Sequence, residues 1–290
     1  ENNGQFISGA GKYTFEGQNV LRGSKVLIIS DLSFTDTLKN QGTLQITKKI
    51  SAPDTAIFIN QTSGSLMLKN TDSNFKVKQL DLTSLNNKLI MARGTKQHLP
   101  AALNNEYQQV CIAEGGGLIV DSSIVLNQQL FIDSLSTLTV NSLISLTSNA
   151  SLIMKKQAVL QFSNYDMNNF NTFIKGFYSY EIDSTSSVVV SSDVDFVLPV
   201  FDFANLELKS SIPISIQNEG SQIFRKDLKL GKYVALYVSQ QQISIKGNGE
   251  GSGKLLASNS SVKYNGSTGQ KIIPSDYDTL IIQNTSVDTS

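Results

Sequence analysis

The amino-acid sequence predicts an all-β protein, a right-handed parallel β-helix or solenoid built from short strands. Apolar and polar residues alternate in short bursts along the 290-residue chain, as at Leu44/Ile46 and Leu160/Phe162. A period of two is the pattern of strands with one buried face. No window of about a dozen residues keeps the 3.6-residue apolar stripe of a helix. We expect almost no helix, and residues 164–174 are the best place for a short helical turn or a loop excursion.

A repeat of twenty-odd residues is the second indication. Two echoes share the same offset along the chain: Gly42–Ile46 with Gly64–Leu68, and Leu138–Val140 with Leu160–Phe162. Self-similarity at this period is typical of a solenoid in which each coil covers the apolar core of its neighbour. At about 22 residues per coil, the chain would make about thirteen coils.

β-Sandwich domains are the alternative, because short strands with frequent turn signals also describe them. Most bursts hold only two inward residues, whereas sandwich strands usually run to about five or six residues. The sequence therefore favours the solenoid. We expect residues 1–290 to form one continuous solenoid, with a soft break near the glycine-rich residues 247–253. A start at Glu1 fits removal of a signal peptide or excision from a longer chain.

The composition argues against several classes of function. Lys plus Arg and Asp plus Glu each number 24, so no excess of positive charge favours nucleic acid or anionic lipid. No run of 18 apolar residues would insert in a membrane. With one cysteine, one histidine and no tryptophan, the chain has little material for metal, acid–base or sugar-stacking chemistry. We therefore expect no enzyme and no cofactor.

A second, longer repeat combines a strand, a turn, an apolar-Pro pair, an aromatic residue and another strand. Its copies are Ser187–Leu208, Ser261–Ile282 and a looser one formed by Leu99-Pro100 and Tyr107–Ile112. Proline fixes φ and lacks the N–H for a ladder hydrogen bond, so the unit is interpreted as a corner.

The Ser261–Ile282 copy resembles the repeat unit of large secreted surface proteins of Bacteroidota. The matching residues are Val262–Gly266, Gln270–Pro274 and Tyr277–Ile282. The earlier copy keeps Leu198-Pro199 and Phe203–Leu208 but replaces the Asn-Gly turn with Ser-Ser-Asp. The resemblance implies a parallel β-helix in an adhesin-like or filament protein, secreted to the cell surface.

Proteins of that group commonly carry O-glycans on Asp-(Ser/Thr) triplets, so the resemblance also implies modification sites. The candidate acceptors are Thr37, Thr55, Ser134, Ser184 and Thr279. The alternative is that these are ordinary turn pairs. Asn60 and Asn149 fit the N-glycan acceptor pattern, which matters only in a eukaryotic secretory pathway.

A catalytic or calcium-binding groove would need carboxylates aligned on successive coils. The nearest candidates are Asp193, Asp195, Asp276 and Asp278, and the alternative for each is a solvated turn. His98 is interpreted as a surface-loop residue. Cys111 would point outward if Val110 and Ile112 face the core.

Two tyrosines, Tyr107 and Tyr264, are the candidates for stacking on a sugar, against a preferred role in packing the core. We expect a non-enzymatic, extracellular structural or adhesive module that stacks end to end with copies of itself or adjoining domains and makes weak contacts with surface glycans. The alternatives are a carbohydrate-active β-helix enzyme, by analogy of fold alone, and a glycan-binding module.

Overall fold

The computed structural model describes residues 6–7, 9, 11–69, 75–163 and 165–283. The chain winds into a parallel β-solenoid of about 13 turns with a spacing of roughly 20 residues. This confirms the predicted fold class. Strands that are neighbours in a sheet pair in parallel. The alternative of β-sandwich domains, whose sheets are antiparallel, is therefore wrong.

In the described ranges, 32 strands follow one another along the chain. The first sixteen are β1 (Phe6–Ile7), β2 (Lys12–Phe15), β3 (Asn19–Leu21), β4 (Leu27–Phe34), β5 (Thr37–Asn40), β6 (Thr43–Ser51), β7 (Ile57–Asn60), β8 (Ser65–Leu68), β9 (Phe75–Lys76), β10 (Gln79–Asp81), β11 (Lys88–Met91), β12 (Lys96–His98), β13 (Glu106–Ile112), β14 (Gly117–Val120), β15 (Ile124–Ile132) and β16 (Thr137–Val140). The others are β17 (Ile144–Leu146), β18 (Ser151–Met154), β19 (Val159–Ser163), β20 (Ser179–Ile182), β21 (Ser187–Ser191), β22 (Phe196–Leu198), β23 (Asn205–Lys209), β24 (Ile214–Asn218), β25 (Gln222–Phe224), β26 (Leu228–Leu230), β27 (Val234–Ser239), β28 (Gln242–Ile245), β29 (Gly249–Gly251), β30 (Lys254–Ser258), β31 (Ser261–Tyr264) and β32 (Thr279–Ile282).

Helical structure is short. Leu103–Asn105 and Met167–Asn169 are 3-10 segments, and helix α1 spans Phe170–Lys175. The last two lie in the segment where the sequence predicted a helical turn, which is confirmed. None of the helices in the described ranges has the length and apolar character that crossing a membrane requires.

The chain divides into two compact units. The first contains Glu1–Leu138, Ile144–Ile153 and Phe177–Tyr180, and the second contains Thr139–Leu143, Met154–Gly176 and Glu181–Ser290. In the first unit, one sheet has the order β1-β4-β6-β8-β11-β13-β15, and another has the order β10-β7-β5-β3. In the second unit the sheets have the orders β21-β23-β26-β29, β22-β24-β27-β30 and β25-β28-β31-β32.

Stacked inward side chains form the core of the first unit. Leu44 pairs with Leu66 and Leu66 with Leu89, and all three are fully buried. The offset of the first echo is therefore the actual register between neighbouring strands, and the next coil, from Leu66 to Leu89, is slightly longer. The second echo falls on β16 and β19. Burial of a leucine at each level contributes about 1.5–3 kcal/mol per side chain to the stability of the stack.

Aromatic side chains fill part of the core of the second unit. The ring of Phe162 meets those of Phe170 and Phe173 edge to face, with centroids 4.9 and 5.4 Å apart. Phe170 also meets Phe196 at 5.8 Å. Helix α1 is thus held on the solenoid by the phenylalanines that make its segment stand out in the sequence.

The longer repeat corresponds to one short coil in both complete copies. Val188 of β21 pairs with Leu206 of β23, and Val262 of β31 pairs with Leu280 of β32, at the same offset in both copies. The third copy anchors its corner in another way: the Tyr107 hydroxyl donates to the Pro100 carbonyl oxygen at 2.5 Å. These contacts support the interpretation of the repeat as a corner.

The glycine-rich residues 247–253, predicted as a soft break, contain strand β29 in the second unit. Gly249 pairs with Leu228, and Gly251 pairs with Leu230 at a φ of +100°. A Cβ atom at Gly251 would lie 1.9 Å from the Leu230 carbonyl oxygen. These glycines permit close packing between coils, and a soft break at this segment stays a prediction.

Candidate functional site

The last described strand of the second unit leaves core positions uncovered. Leu280 and Ile282 of β32 lie in register with Val262 and Tyr264, which are fully buried. Leu280 is 39% exposed and Ile282 is 58% exposed. In the part of the chain that the structure describes, no strand pairs with the far edge of β32. This open coil edge presents apolar side chains together with unpaired backbone groups.

The first unit has an edge of similar character at β1. Phe6 and Ile7 are exposed, and the ring of Phe6 rests edge-on against Tyr13 with centroids 5.7 Å apart. β1 pairs with β4 on one side only, among the described residues. Each unit therefore offers a parallel strand edge with apolar side chains.

Two of the predicted carboxylates, Asp193 and Asp195, hold the next corner of the solenoid. Asp193 accepts hydrogen bonds from Ser210 Oγ at 2.9 Å, from the Ser211 backbone N–H at 2.7 Å and from Ser211 Oγ at 2.6 Å. These bonds, those from Ser211 above all, lower the pKa of Asp193. Asp195 Oδ1 accepts the Ser215 backbone N–H at 2.6 Å. Asp193 thus bonds to the turn before β24, and Asp195 bonds to β24 itself.

The other two predicted carboxylates, Asp276 and Asp278, are exposed. Asp278 lines a shallow polar depression with Gln240 and Asn259. Within the described ranges, no three side chains of His, Cys, Asp or Glu are grouped so that they could hold a metal ion.

A cleft of about 550 Å³ adjoins Asp193 in the second unit. Its lining includes Tyr165, Asp193, Lys209 and four serines, two of which are Ser210 and Ser211, and we call it the serine-lined cleft. Tyr165 is only 5% exposed, and its hydroxyl has no hydrogen-bond partner among the described residues. Burial, together with the charge of Asp166, raises the pKa of Tyr165 to about 12. Sequence reasoning missed this residue, because its position beside the cleft depends on the path of the segment before α1.

His98 has an acidic neighbour that the sequence did not indicate. Its Nδ1 atom lies 2.6 Å from Asp121 Oδ2. The two residues are far apart along the chain, and the pairing of His98 with Ile119 brings the following turn alongside. Both side chains are largely exposed, so the pair is a surface contact of small energetic weight.

Cys111 faces outward, as the burial of Val110 and Ile112 requires. It lies in an outer row of side chains with Ile90 and Phe131, its register partners on the neighbouring strands. This row forms part of a groove of about 350 Å³. Desolvation raises the pKa of the Cys111 thiol to about 11.

Tyr107 and Tyr264 cannot stack on a sugar, because both are buried in the core. The suggestion of sugar stacking is wrong for these two residues, and the preferred packing role is confirmed. The Tyr264 hydroxyl accepts a hydrogen bond from the Ile273 backbone N–H at 3.1 Å.

The two asparagines that fit the N-glycan acceptor pattern differ in exposure: Asn60 is fully buried and Asn149 is exposed.

The five candidate O-glycan acceptors lie at or beside turns between strands. Thr55, Ser184 and Thr279 are exposed, whereas Thr37 and Ser134 are half-buried. At one site the aspartate closes the turn, since Asp183 Oδ1 accepts the Thr185 backbone N–H at 2.8 Å and Thr185 Oγ1 at 2.6 Å. This bonding explains the Asp-Ser pair as turn chemistry, and modification of the hydroxyls stays a prediction.

Comparison with known proteins gives no match: no family model, no curated protein and no solved structure is similar to this chain.

Proposed function

We propose that the chain is a non-enzymatic structural and adhesive module of a bacterial cell surface. In this proposal the solenoid acts as a stalk, filament segment or adhesin, and its coils continue into a copy of itself or into an adjoining domain. The observation that carries the proposal is the open coil edge, where Leu280 and Ile282 are exposed at positions that are core one coil earlier.

A further coil on β32 would satisfy two needs at once. It would cover the two apolar side chains, and their burial would contribute about 25 cal/mol for each Å² removed from water. It would also pair the free backbone N–H and C=O groups of the edge strand, which otherwise invite pairing with another chain. When one end of a molecule binds the opposite end of the next molecule, the contact is heterologous. Repeated contacts of this kind build an open filament unless they close into a ring.

The exterior supports the adhesive part of the proposal. Only 17% of the residues are charged, and the net charge is zero. Neutral polar side chains make hydrogen bonds with carbohydrate or protein partners without the desolvation cost of buried ions. The resemblance of Ser261–Ile282 to secreted Bacteroidota repeats supports the proposed location outside the cell.

The proposal is tested by charging the open coil edge. Sedimentation velocity over a hundredfold range of protein concentration, with electron microscopy, would compare the native chain with the double variant Leu280→Lys, Ile282→Lys. We expect the native chain to associate end to end and the double variant to remain monomeric. The matched control is Ile281→Lys, on the same strand but in register with the outward Lys263. It should associate like the native chain.

A native chain that stays monomeric at every concentration, with amide protons of β32 as protected from exchange as those of β31, would contradict stacking between copies.

The enzyme alternative has a separate test. If the chain degrades any of a panel of acidic and neutral polysaccharides, that activity should be lost on replacing Asp193 and Asp195, or Asp276 and Asp278.

A further inference from the structure

The groove beside Cys111 is an apolar channel on the outer face of the first unit, with a volume of about 350 Å³. The small side chains of Cys111 and Ala113 form its floor. Ile90 of β11 and Phe131 of β15 form its two walls, because both are register partners of Cys111 on the neighbouring strands. Small residues between two large ones leave a channel that runs along β13, and we call it the Cys111 groove.

The backbone beneath the groove is already paired. β13 bonds to β11 on one side and to β15 on the other. A peptide laid in the groove would gain no strand pairing, and its own N–H and C=O groups would face apolar side chains at a cost in free energy. An alkyl chain carries no such groups, and each methylene group that it buries strengthens binding. The groove therefore suits an alkyl chain better than a protein segment.

Opposite charges stand at the two ends of the groove, with Lys88 at the start of β11 and Asp133 just after the end of β15. The ammonium group of Lys88 forms no ion pair within the described ranges. Asp133 Oδ1 accepts the Ser134 backbone N–H at 2.7 Å. Desolvation raises the pKa of Cys111, Lys88 opposes the rise and Asp133 reinforces it, so both charges act on the floor of the groove. A single anionic group is thus attracted to one end and repelled from the other.

We propose that the Cys111 groove binds a straight-chain carboxylate of about ten carbons, with its alkyl chain over Cys111 and Ala113 and its carboxylate at Lys88. The groove volume sets the length, since it equals that of about a dozen water-sized groups of about 30 Å³ each. This site goes beyond the proposed adhesive role and does not depend on end-to-end stacking.

Two other occupants fit the groove less well. The chain has no net charge that would draw it to an anionic bilayer. A second copy of the chain would find little surface, because Ile90, Cys111 and Phe131 are each half-buried. They expose much less than the roughly 800 Å² per partner that a standard protein interface buries. A free carboxylate is therefore the occupant that the groove favours.

The test is isothermal titration calorimetry of the full chain with decanoate below its micelle concentration. Octanoate, decanedioate and decyltrimethylammonium bromide are separate titrants. We expect decanoate to bind, and octanoate to bind more weakly by up to about fourfold for each methylene group that is lost. Decanedioate should also bind more weakly, because its second carboxylate meets Asp133, and the decyltrimethylammonium cation should be repelled by Lys88.

Three variants locate the binding. Ala113→Leu fills the floor and should abolish decanoate binding without lowering the melting temperature. Lys88→Gln should weaken decanoate binding about two- to fivefold, which is the effect of an exposed ion pair. The matched control is Lys96→Gln, which changes an exposed lysine of the same unit that lies on β12, outside the lining of the groove. It should bind decanoate like the native chain.

Cys111 reports occupancy directly, because a chain on the floor covers its sulfur atom. Saturating decanoate should slow alkylation of the native chain by iodoacetamide at about pH 9 and leave the rate in Ala113→Leu unchanged. The proposal is overturned if decanoate does not bind, if it binds Ala113→Leu as tightly as the native chain, or if it binds without slowing alkylation.

Binding of the native chain to phosphatidylglycerol vesicles, without binding of decanoate, would assign the groove to a bilayer and overturn the proposal as well. The double variant Leu280→Lys, Ile282→Lys should keep the native affinity for decanoate. Failure of this inference is therefore distinguishable from failure of end-to-end stacking.

Discussion

The side-chain amide of Asn40 donates a hydrogen bond of 2.8 Å to Asn60 Oδ1 in the interior of the first unit. The two asparagines are 1% and 0% exposed and hold equivalent positions in successive coils. The Asn60 amide in turn donates to the carbonyl oxygens of Gly64 at 2.9 Å and Lys88 at 3.1 Å. A buried polar ladder thus connects the turns of neighbouring coils.

Replacing Asn60 with alanine should lower the free energy of unfolding by about 2–4 kcal/mol, because it removes three buried hydrogen bonds and leaves a cavity in the interior. The measurement is the urea midpoint followed by circular dichroism. Gln61→Ala is the control, since the amide pair of Gln41 and Gln61 lies on the exposed surface. Equal midpoints for the two variants would contradict the role given to the ladder.

Gly251 should tolerate no side chain. At a φ of +100° an L-residue is strained, and a Cβ atom would meet the Leu230 carbonyl oxygen at 1.9 Å. We expect Gly251→Ala to destabilise the second unit by at least about 2 kcal/mol, measured as a shift of the thermal midpoint.

Gly269→Ala is the matched control for that change, because a Cβ atom there would have no other atom within 4 Å and the φ of Gly269 is ordinary. It should change stability by less than about 0.5 kcal/mol. If Gly251→Ala and Gly269→Ala had the same thermal midpoint, residues 247–253 would be the flexible link that the sequence suggested.

The periodicity of the sequence was enough to predict the fold. Alternation placed Leu44 and Leu66 on buried faces, and their offset in the sequence equals the register of β6 and β8. The first residue of the repeated segment Gly64–Leu68 is glycine for a steric reason, since a Cβ atom at Gly64 would lie 2.7 Å from Asn60 Oδ1. A local pattern becomes predictive here because each coil repeats the environment of the coil before it.

Contacts that depend on varying coil length could not be predicted. The coil that joins the register partners Leu27 and Leu44 is shorter than the coil that joins Leu66 and Leu89. Which turn residue meets which neighbour therefore changes from coil to coil, and the His98–Asp121 contact has no signature in the sequence. Tyr165 escaped notice for a related reason, because its surroundings are set by an excursion outside the repeat.

Alkaline pH should destabilise the first unit through Tyr107. Burial raises its pKa to about 12 from the ordinary 10.0, although the bond from Ala102 opposes the shift. The folded state therefore holds the phenol proton more tightly than the unfolded chain. The resulting stabilisation is complete below about pH 10 and is lost as the pH rises to about 12.

The measurement is the urea midpoint between about pH 8 and pH 12. Tyr107→Phe should have a lower midpoint than the native chain at pH 8, because it lacks the bond to Pro100. Its midpoint should fall less steeply above about pH 10, because the titrating group is gone. Parallel pH profiles would show that Tyr107 does not titrate in the unfolding equilibrium.

Cys111 should react slowly despite its outward position. The side chains of Ile90 and Phe131 in the outer row desolvate the thiol and raise its pKa to about 11 from 9.0, while Lys88 opposes and Asp133 reinforces the shift. Two pKa units reduce the thiolate fraction at pH 8 about a hundredfold. Alkylation by iodoacetamide should accordingly be about a hundredfold slower in the folded chain than in urea.

The variant that separates desolvation from burial of the sulfur atom is Phe131→Ser, which removes one wall of the groove and leaves the inward core untouched. It should speed alkylation in the folded chain at pH 8, and the gain should shrink as the pH approaches about 11, where the native thiol also ionises. A gain that is constant with pH would mean that access, not ionisation, limits the reaction. The outward direction of a strand residue therefore does not make a thiol reactive when its register partners are apolar.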